Sequence, residues 1–525
     1  MVTIEDDARP YINSEFAKQL EEKGASPIPV VIETERGAAQ ELAEQVTGFE
    51  SARLNDAGII SSDRFAAIID GNMINEIGRL DGVVKIHYDQ PVSITEAGIT
   101  SRLPPVPTFV QNPIQQYLSK PILEGFSPHD KYLGSGGVSP VETPGVNFAQ
   151  LPPGDPIQTA LSFIDHRRGT SFTNKEMIPT SETVAWVRDA PVTDATPGGN
   201  TQVAVLDTGH FPLEPTNNGR TPHMESMVPG EPPTDFMGHG SWCTNTVIGS
   251  RARSTWGDVQ GVAEQAQYAH FKCLNTFPGF GQTSWILKAM ERANNWGADV
   301  ISMSLGGVQQ GGIDEEPFSR FIRERCKENA GEQDGSIFVV AAGNAGPGTD
   351  EIGSPGVCEK ALTVGSWSMM DAAPSYFSSR GPQGGWYAEN RDVFEEHREQ
   401  YGDEEFIKPD VVAPGGGRMT AGLSSQRAEL LHQVETGWME GIHDGLKDTR
   451  GLMKGTSMAA PHVAGLVTRL YDAGIIRNAA EVKQVVRDNQ TVPEFPAEAV
   501  NANQSVGGKN VSVGWGPIRE SLFKP

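Results

Sequence analysis

The apolar run Val203–Leu206 stops abruptly at Asp207-Thr208-Gly209, and that stop constrains the fold more than any other feature of the chain. A run this short, apolar on both faces, reads as a buried strand of a parallel sheet. An Asp at the carboxyl edge of such a strand points into the crevice where α/β folds bind ligands. Two helix starts complete the picture. His239 lies between Gly238 and Gly240, ahead of an apolar stretch through Ile248, which places it in a first helical turn. Ser457 follows Gly455-Thr456 and opens a second, small-residue helix. Each residue alone has an ordinary explanation: Asp is common in turns, and Ser commonly caps helices. Together the three are a chemical set. A serine hydroxyl is a weak nucleophile that needs a base, and the base needs a partner to fix its tautomer.

The order Asp, His, Ser is one of the known triad orders. The residues around Ser457, Gly-Thr-Ser-Met-Ala-Ala-Pro-His over 455–462, are more particular than a helix cap requires. These segments resemble the three active-site motifs of the subtilisin-like serine proteases, the subtilase family. Other landmarks resemble the family in the same order: Gly297–Gly306 ending in Ser304-Leu305-Gly306, Val339–Gly346 with Asn344 in its turn, Ser378–Pro382, and Lys408–Gly415. The resemblance covers roughly residues 180–520. It implies an α/β fold, a parallel sheet flanked by helices, that hydrolyses peptide bonds through an acyl-enzyme. On this reading Ser457 attacks, His239 moves the proton, Asp207 orients His239, and Asn344 donates to the oxyanion. The substrate lies extended along Gly279-Phe280-Gly281 and Ser304, Leu305 and Gly306. Gly353 aligns with the small residue at the floor of the first specificity pocket, and a roomy apolar pocket there favours large apolar or aromatic side chains. No cofactor or metal is required for catalysis. Structural calcium is common in the family, but no loop here has recognisable ligand spacing.

The chain also departs from the family. Ser241 and Trp242 stand where Thr and His are usual. Ser keeps the hydroxyl, while Trp242 is expected to alter packing near the cleft floor. The span from His239 to Ser457 is long, and the extra length falls in surface insertions near 383–406 and 418–454, the second with a helical stretch near 426–439.

Residues 1–95 read as a small α+β domain. Ile28–Thr34, Phe65–Ile69 and Val84–Tyr88 are strand-like. Ala38–Val46 and the positions Met73, Ile74, Ile77 and Leu80 are spaced for helices. Val84, Ile86 and Tyr88 alternate with Lys85, His87 and Asp89, which predicts a half-buried strand with its polar residues outward. The β-α-β-α-β order and the extended tail Gln90–Ile94 resemble the subtilase propeptide, a ferredoxin-like inhibitor and folding chaperone whose tail occupies the active site. An unrelated accessory domain is the other reading. Residues 96–180 are rich in Pro and Gly and suit a linker or covering segment. Thr183–Arg188 resembles the helix that opens subtilase catalytic domains, so residues 181–525 form the catalytic unit.

A formal net charge of −25 argues against nucleic-acid partners. It is compatible with a high-salt source or with ordinary acidity. No apolar run reaches the ~18 residues of a membrane helix. The first residues, Met-Val-Thr-Ile-Glu-Asp-Asp, lack the regions of a secretory signal. Action inside the cell or within an assembly is therefore expected, unless a leader precedes this start. The expected partners are polypeptide substrates and the chain's own N-terminal domain. A dedicated processing enzyme with a single precursor or capsid partner is an alternative. An inactive binding protein would normally lack Asp207, His239, Ser457 or Asn344, and all are present. Cys243, Cys273, Cys326 and Cys358 form no C-x-x-C pair, and Cys243 falls one helical turn after His239.

Overall fold

The computed structural model describes residues 2–94, 180–189, 199–211, 220–381, 407–416, 432–435 and 450–524, with short gaps inside these ranges. The predicted segment 96–180, except Thr180, and the insertion near 383–406 lie outside the described residues. So does most of 418–454.

In the first unit, strands β1 (Ile28–Thr34), β2 (Arg53–Ser61), β3 (Arg64–Ile69) and β4 (Val83–Tyr88) form one antiparallel sheet in the order β2-β3-β1-β4. Helices α1 (Ser14–Lys23), α2 (Ala39–Thr47) and α3 (Ile74–Gly78) accompany it. The sequence reading missed β2. That strand is an edge, its first residues are exposed, and Asn55, Asp56 and Gly58 give it the composition of a turn. With β2 included, the order β-α-β-β-α-β is that of a ferredoxin-like unit.

The expected outward face of β4 is also corrected. His87 and Asp89 are buried, because the sheet is covered on both sides. On one side Val30, Ile32, Phe65, Ala67 and Ile86 pack with Leu42, Val46 and Ile77 of the helices. On the other, Val31 and Ala66 join Trp285, Ile286 and Phe321 of the second unit. Alternation along a strand reports two faces, but it cannot say that a polar face meets protein instead of water.

The second unit opens with α4 (Thr180–Arg188). Its eight-stranded sheet contains β6 (Gln202–Asp207), β7 (His223–Ser226), β10 (Gln267–Lys272), β12 (Val300–Met303), β14 (Ile337–Ala341), β15 (Leu362–Ser368), β16 (Ala373–Pro374) and β17 (Val411–Pro414). A small hairpin, β8 (Ala252–Ser254) with β9 (Gly257–Val259), lies outside it. The order is β16-β15-β14-β12-β6-β10-β7, with β17 also on β15. Every pairing in it is parallel except β15 with β16. The helices are α5 (His239–Ile248), α6 (Thr283–Trp296), α7 (Pro317–Arg325), α8 (Thr456–Asp472) and α9 (Ala479–Asn489). Residues 456–470 of α8 are all buried, as suits a helix apolar all round. A Cβ on Gly465 would lie 2.5 Å from Val262 Cβ, so only glycine allows α8 to approach this closely.

The Lys408–Gly415 motif has a packing role. Asp410 on the way into β17 accepts from Lys408 Nζ and Lys509 Nζ at 2.7 Å each and from Thr363 N–H at 2.8 Å, all in the interior. Burial alone would push its carboxyl up, but the surrounding lysines hold it well below the usual carboxylate range. The helix expected near 426–439 is corrected where it is described: His432–Glu435 is a strand, β18, paired antiparallel with β19 (Arg450–Met453). Pairing with a distant segment overrides local helical spacing there.

The two units meet through hydrogen-bonded charges. Glu33 of β1 takes Arg320 of α7 in a bidentate pair at 2.6 and 2.7 Å, with Arg64 and His87 beside it. Burial favours a neutral Glu33, but His87, Arg320 and Arg64 outweigh it and hold the carboxyl well below its usual range. Asp89 accepts from Ser284 N–H at 2.8 Å and Ser284 Oγ at 2.7 Å, in the first turn of α6. Conversely, Glu315 of the second unit accepts from Ser14 N–H at 3.1 Å, where α1 starts. Removing one member of a buried, hydrogen-bonded pair strands the other. Arg320→Ala should therefore weaken binding of an isolated first unit to the second by about 30-fold or more, the scale of roughly 2 kcal/mol or more for such truncations. Calorimetric titration of residues 2–94 into the separated second unit measures this, and an unchanged Kd would make the pair energetically idle.

Candidate active site

Asp207 ends β6 and His239 begins α5. The Nδ1–H of His239 donates to Asp207 Oδ1 at 2.7 Å, and both residues are fully buried. Thr208 N–H adds a second donor to the same oxygen at 2.7 Å. Burial works against a charged imidazole, but the Asp207 carboxylate outweighs it and holds the His239 pKa well above the ordinary histidine range. Gly238, the N-cap residue of α5, has φ 95°, a left-handed conformation that suits glycine.

Ser457 is the second residue of α8. Its Oγ donates to Ser304 O at 3.0 Å, and Ser304 Oγ returns a bond to Ser457 O at 2.9 Å. The positive end of the α8 dipole therefore lies at Ser457. His239 Nε2, the atom that would take the Ser457 proton, has no hydrogen-bond partner among the described residues.

Asn344 follows β14 in a tight turn. Its Oδ1 accepts from Thr456 N–H at 2.9 Å and from Thr456 Oγ at 3.1 Å. Thr456 thereby fixes which way the Asn344 amide is turned. Gly343 has φ 106°, and a Cβ on it would sit 2.8 Å from Ser379 Oγ. The hydroxyl of Ser379 accepts from Ala345 N–H at 3.0 Å, which gives the Ser378–Pro382 motif its purpose: it braces the Asn344 turn. Sequence reasoning did not single out Thr456 or Ser379, although both stand inside motifs it quoted.

The extended tail of the first unit is a strand, β5 (Pro91–Ile94). It lies between β11 (Phe280–Gln282) and β13 (Leu305–Gly306), antiparallel to both. Gly281 pairs with Val92, Gly306 with Ser93, and Leu305 with Ile94. The Ile94 N–H donates to Gly279 O at 3.1 Å. Ser304, Leu305, Gly306, Gly279 and Gly281 are thus brought around one extended segment, beside Ser457. Gly353 is set back from it: its N–H donates to Ala342 O at 3.3 Å, and a Cβ would lie 2.9 Å from Gly307 O. The neighbouring Ser354 bridges Gly307 through bonds of 2.8 and 3.0 Å, tying this loop to the end of β13.

The departures find places too. The hydroxyl of Ser241 accepts from Phe211 N–H at 3.0 Å, so the Ser for Thr exchange keeps a working oxygen. Trp242 is not at the cleft floor. It is fully buried in the apolar core with Val184, Val203, Val247 and Met458, because it lies on the sheet-facing side of α5. Cys243 Sγ is 3.9 Å from His239 Nδ1 and 3.5 Å from Ser457 O. Burial pushes its thiol up to about 11, so it is protonated at neutral pH and a poor nucleophile. All four cysteines are free. Among the described residues, Asp207, His239 and Cys243 are the group spaced to ligate a metal, and they are the site's own residues. No described helix is long and apolar enough to cross a membrane.

Comparison with known proteins adds the lineage. The model of the subtilase family, peptidase S8, matches residues 198–516. Serine protease AprX of Bacillus subtilis (strain 168) is 30% identical over 334 residues, 59% of this chain and 67% of AprX. Pyrolysin of Pyrococcus furiosus is 33% identical over 277 residues, 50% of this chain but 18% of pyrolysin. Among solved structures, fervidolysin from Fervidobacterium pennivorans shares the fold over 98% of this chain and 62% of its own, with a TM-score of 0.54 and 14% identity. The family match spans more than half of the chain, including Asp207, His239, Asn344 and Ser457, and the chain belongs to the subtilases, the family of subtilisin-like serine endopeptidases.

Proposed function

We propose that the chain is a serine endopeptidase made as a self-processing zymogen, with Asp207, His239 and Ser457 as its triad. The observation that carries this reading is the 2.7 Å bond between His239 and Asp207, buried beside a serine at the head of α8. When a peptide carbonyl enters, the Ser457 hydroxyl leaves Ser304 O and turns to His239 Nε2. Oγ bonds to the carbonyl carbon as its proton passes to His239. The C–N bond then breaks, and His239 hands that proton to the departing amine. Water, activated by the same base, releases the acyl group. Asp207 keeps the proton of neutral His239 on Nδ1, so that Nε2 can accept.

The oxyanion forms beside Asn344 and the Ser457 N–H. Asn344→Ala should lower kcat by about 10²–10³-fold with little change in KM, since these donors act mainly in the transition state. Steady-state kinetics on a peptide substrate test it, and a defect mainly in KM would recast Asn344 as a ground-state contact. The specificity pocket near Gly353 is proposed to take large apolar or aromatic side chains.

Residues 2–94 act in this proposal as an internal inhibitor whose β5 strand fills the substrate cleft. The strand pairing is sequence-tolerant and matches strand addition, the mode in which extended peptides bind. Intact mass and N-terminal sequencing of the purified chain beside Ser457→Ala test the whole reading. The parent should lose its N-terminal unit, and the variant should keep it. Loss of the unit from both would remove self-processing.

A further inference from the structure

Behind the Asp207–His239 pair lies another carboxylate, fully buried: Asp235. Its Oδ1 accepts from Thr208 Oγ at 3.1 Å and from the N–H groups of Met237 and Gly238 at 2.9 Å each. Its Oδ2 accepts from Ser241 N–H at 2.8 Å. Thr208 Oγ in turn accepts from Gly240 N–H at 2.9 Å, while the Thr208 N–H is the one bonded to Asp207 Oδ1.

This pattern answers a need of α5. The first N–H groups of a helix lack intrahelical acceptors and are usually capped by the side chain at the N-cap. Here the N-cap is Gly238, which has no side chain. Two of the orphan donors, Gly240 and Ser241 N–H, are instead satisfied from outside by Thr208 and Asp235. His239 stands directly before them as the first helical residue. A buried carboxylate is costly unless hydrogen-bonded throughout, and no described cation forms an ion pair with Asp235. Backbone and hydroxyl donors, together with the positive end of the helix, hold it.

The two segments also touch without slack. Asp235 N–H donates to His210 O at 3.3 Å, and His210 N–H to Pro233 O at 3.1 Å. A Cβ on Gly209 would lie 2.6 Å from Pro233 O, and one on Gly240 would lie 2.2 Å from Gly209 O.

We propose that Asp235, acting with Thr208, is a positioning residue that locks the first turn of α5 onto the loop after β6 and so keeps His239 Nδ1 on Asp207. The inference rests on the triad roles given above. It assigns Asp235 no contact with substrate.

The test expresses Asp235→Asn, Asp235→Ala, Thr208→Val and Thr208→Ser as the full chain and compares them after self-processing, with unprocessed Ser457→Ala as the inactive control. Kinetics on a peptide substrate, the pH profile of kcat/KM and the thermal midpoint are measured for each. Asp235→Ala should lower kcat about 10–100-fold with KM within about twofold, since a small misplacement of a catalytic group costs on that order. Thr208→Val should move the same way, and Thr208→Ser should restore most of its loss. The acid limb should shift to lower pH in Asp235→Ala, because a loosened Asp207 stabilises the imidazolium less. The double variant Asp235→Ala/Thr208→Val should lose less than the product of the single losses, since both act through one network. If Asp235→Ala does not fold, Asp235→Asn and the Thr208 pair carry the same readouts. A lowered thermal midpoint with kcat and acid limb within twofold of the parent would overturn the proposal and leave Asp235 a structural residue. An active Ser457→Ala would instead remove the triad reading itself.

Discussion

Replacing Ser457 by Ala should reduce turnover by about 10⁵–10⁶-fold, the scale of nucleophile loss in the subtilisin triad. The expected loss is large because, among the described residues, no other group beside His239 is placed and ionised to act as a nucleophile. Cys243 has the position but is held as a protonated thiol, and its Sγ lies against the backbone of Ser457 instead of facing the cleft. The structural cost of the substitution is small by comparison. Ser457 Oγ gives up one described bond, to Ser304 O, and Ala is a good helix former at the start of α8. Thermal stability should therefore stay close to the parent while labelling by serine-directed phosphonates disappears. Activity persisting at a tenth of the parent would remove Ser457 from the mechanism.

Asp207→Asn should cost about 10⁴-fold in kcat at neutral pH, by analogy with the same change in other triads. The amide nearly matches the carboxylate in shape, so the fold is kept. What changes is the charge. An amide oxygen in the place of Asp207 Oδ1 can still accept from Thr208 N–H and His239 Nδ1–H, but a neutral amide does not stabilise the imidazolium formed when His239 takes the Ser457 proton. The pH profile gives an independent check. In the parent, the carboxylate raises the His239 pKa against the pull of burial. A base must be neutral to work, so parent activity is lost as pH falls through that raised value. Without the carboxylate the His239 pKa falls, and the acid limb of whatever activity remains should move to lower pH. A variant with an unmoved acid limb would show that another group sets the protonation of His239.

The site was legible in the sequence to the extent that its chemistry is carried by local motifs. Asp207, His239, Asn344 and Ser457 each sit at the end of an element, where a strand or helix boundary dictates where the side chain can go. Glycines mark several of these boundaries, and at Gly238 and Gly343 a positive φ is the reason. The strand β2 escaped notice because an edge strand needs no apolar alternation. Its partner β3 supplies the pairing, and its first residues, Arg53 and Leu54, are exposed. Asp235 was equally silent. A carboxylate before a turn looks the same in sequence whether it caps nothing or holds two loops together.

The amino-acid order alone thus pointed to the class of fold, to four candidate site residues and to the extended tail at Gln90–Ile94. Short local motifs carry each of these, through their resemblance to the subtilases. Tertiary structure alone decided that the polar face of β4 is buried, that β5 lies between β11 and β13, and that His239 meets Asp207 at 2.7 Å. It also decided that Trp242 belongs to the core and that 432–435 is a strand. These outcomes depend on which distant surfaces meet. The burial of a polar face or the pairing of a short segment is settled by the partner it finds, and the partner is encoded elsewhere in the chain.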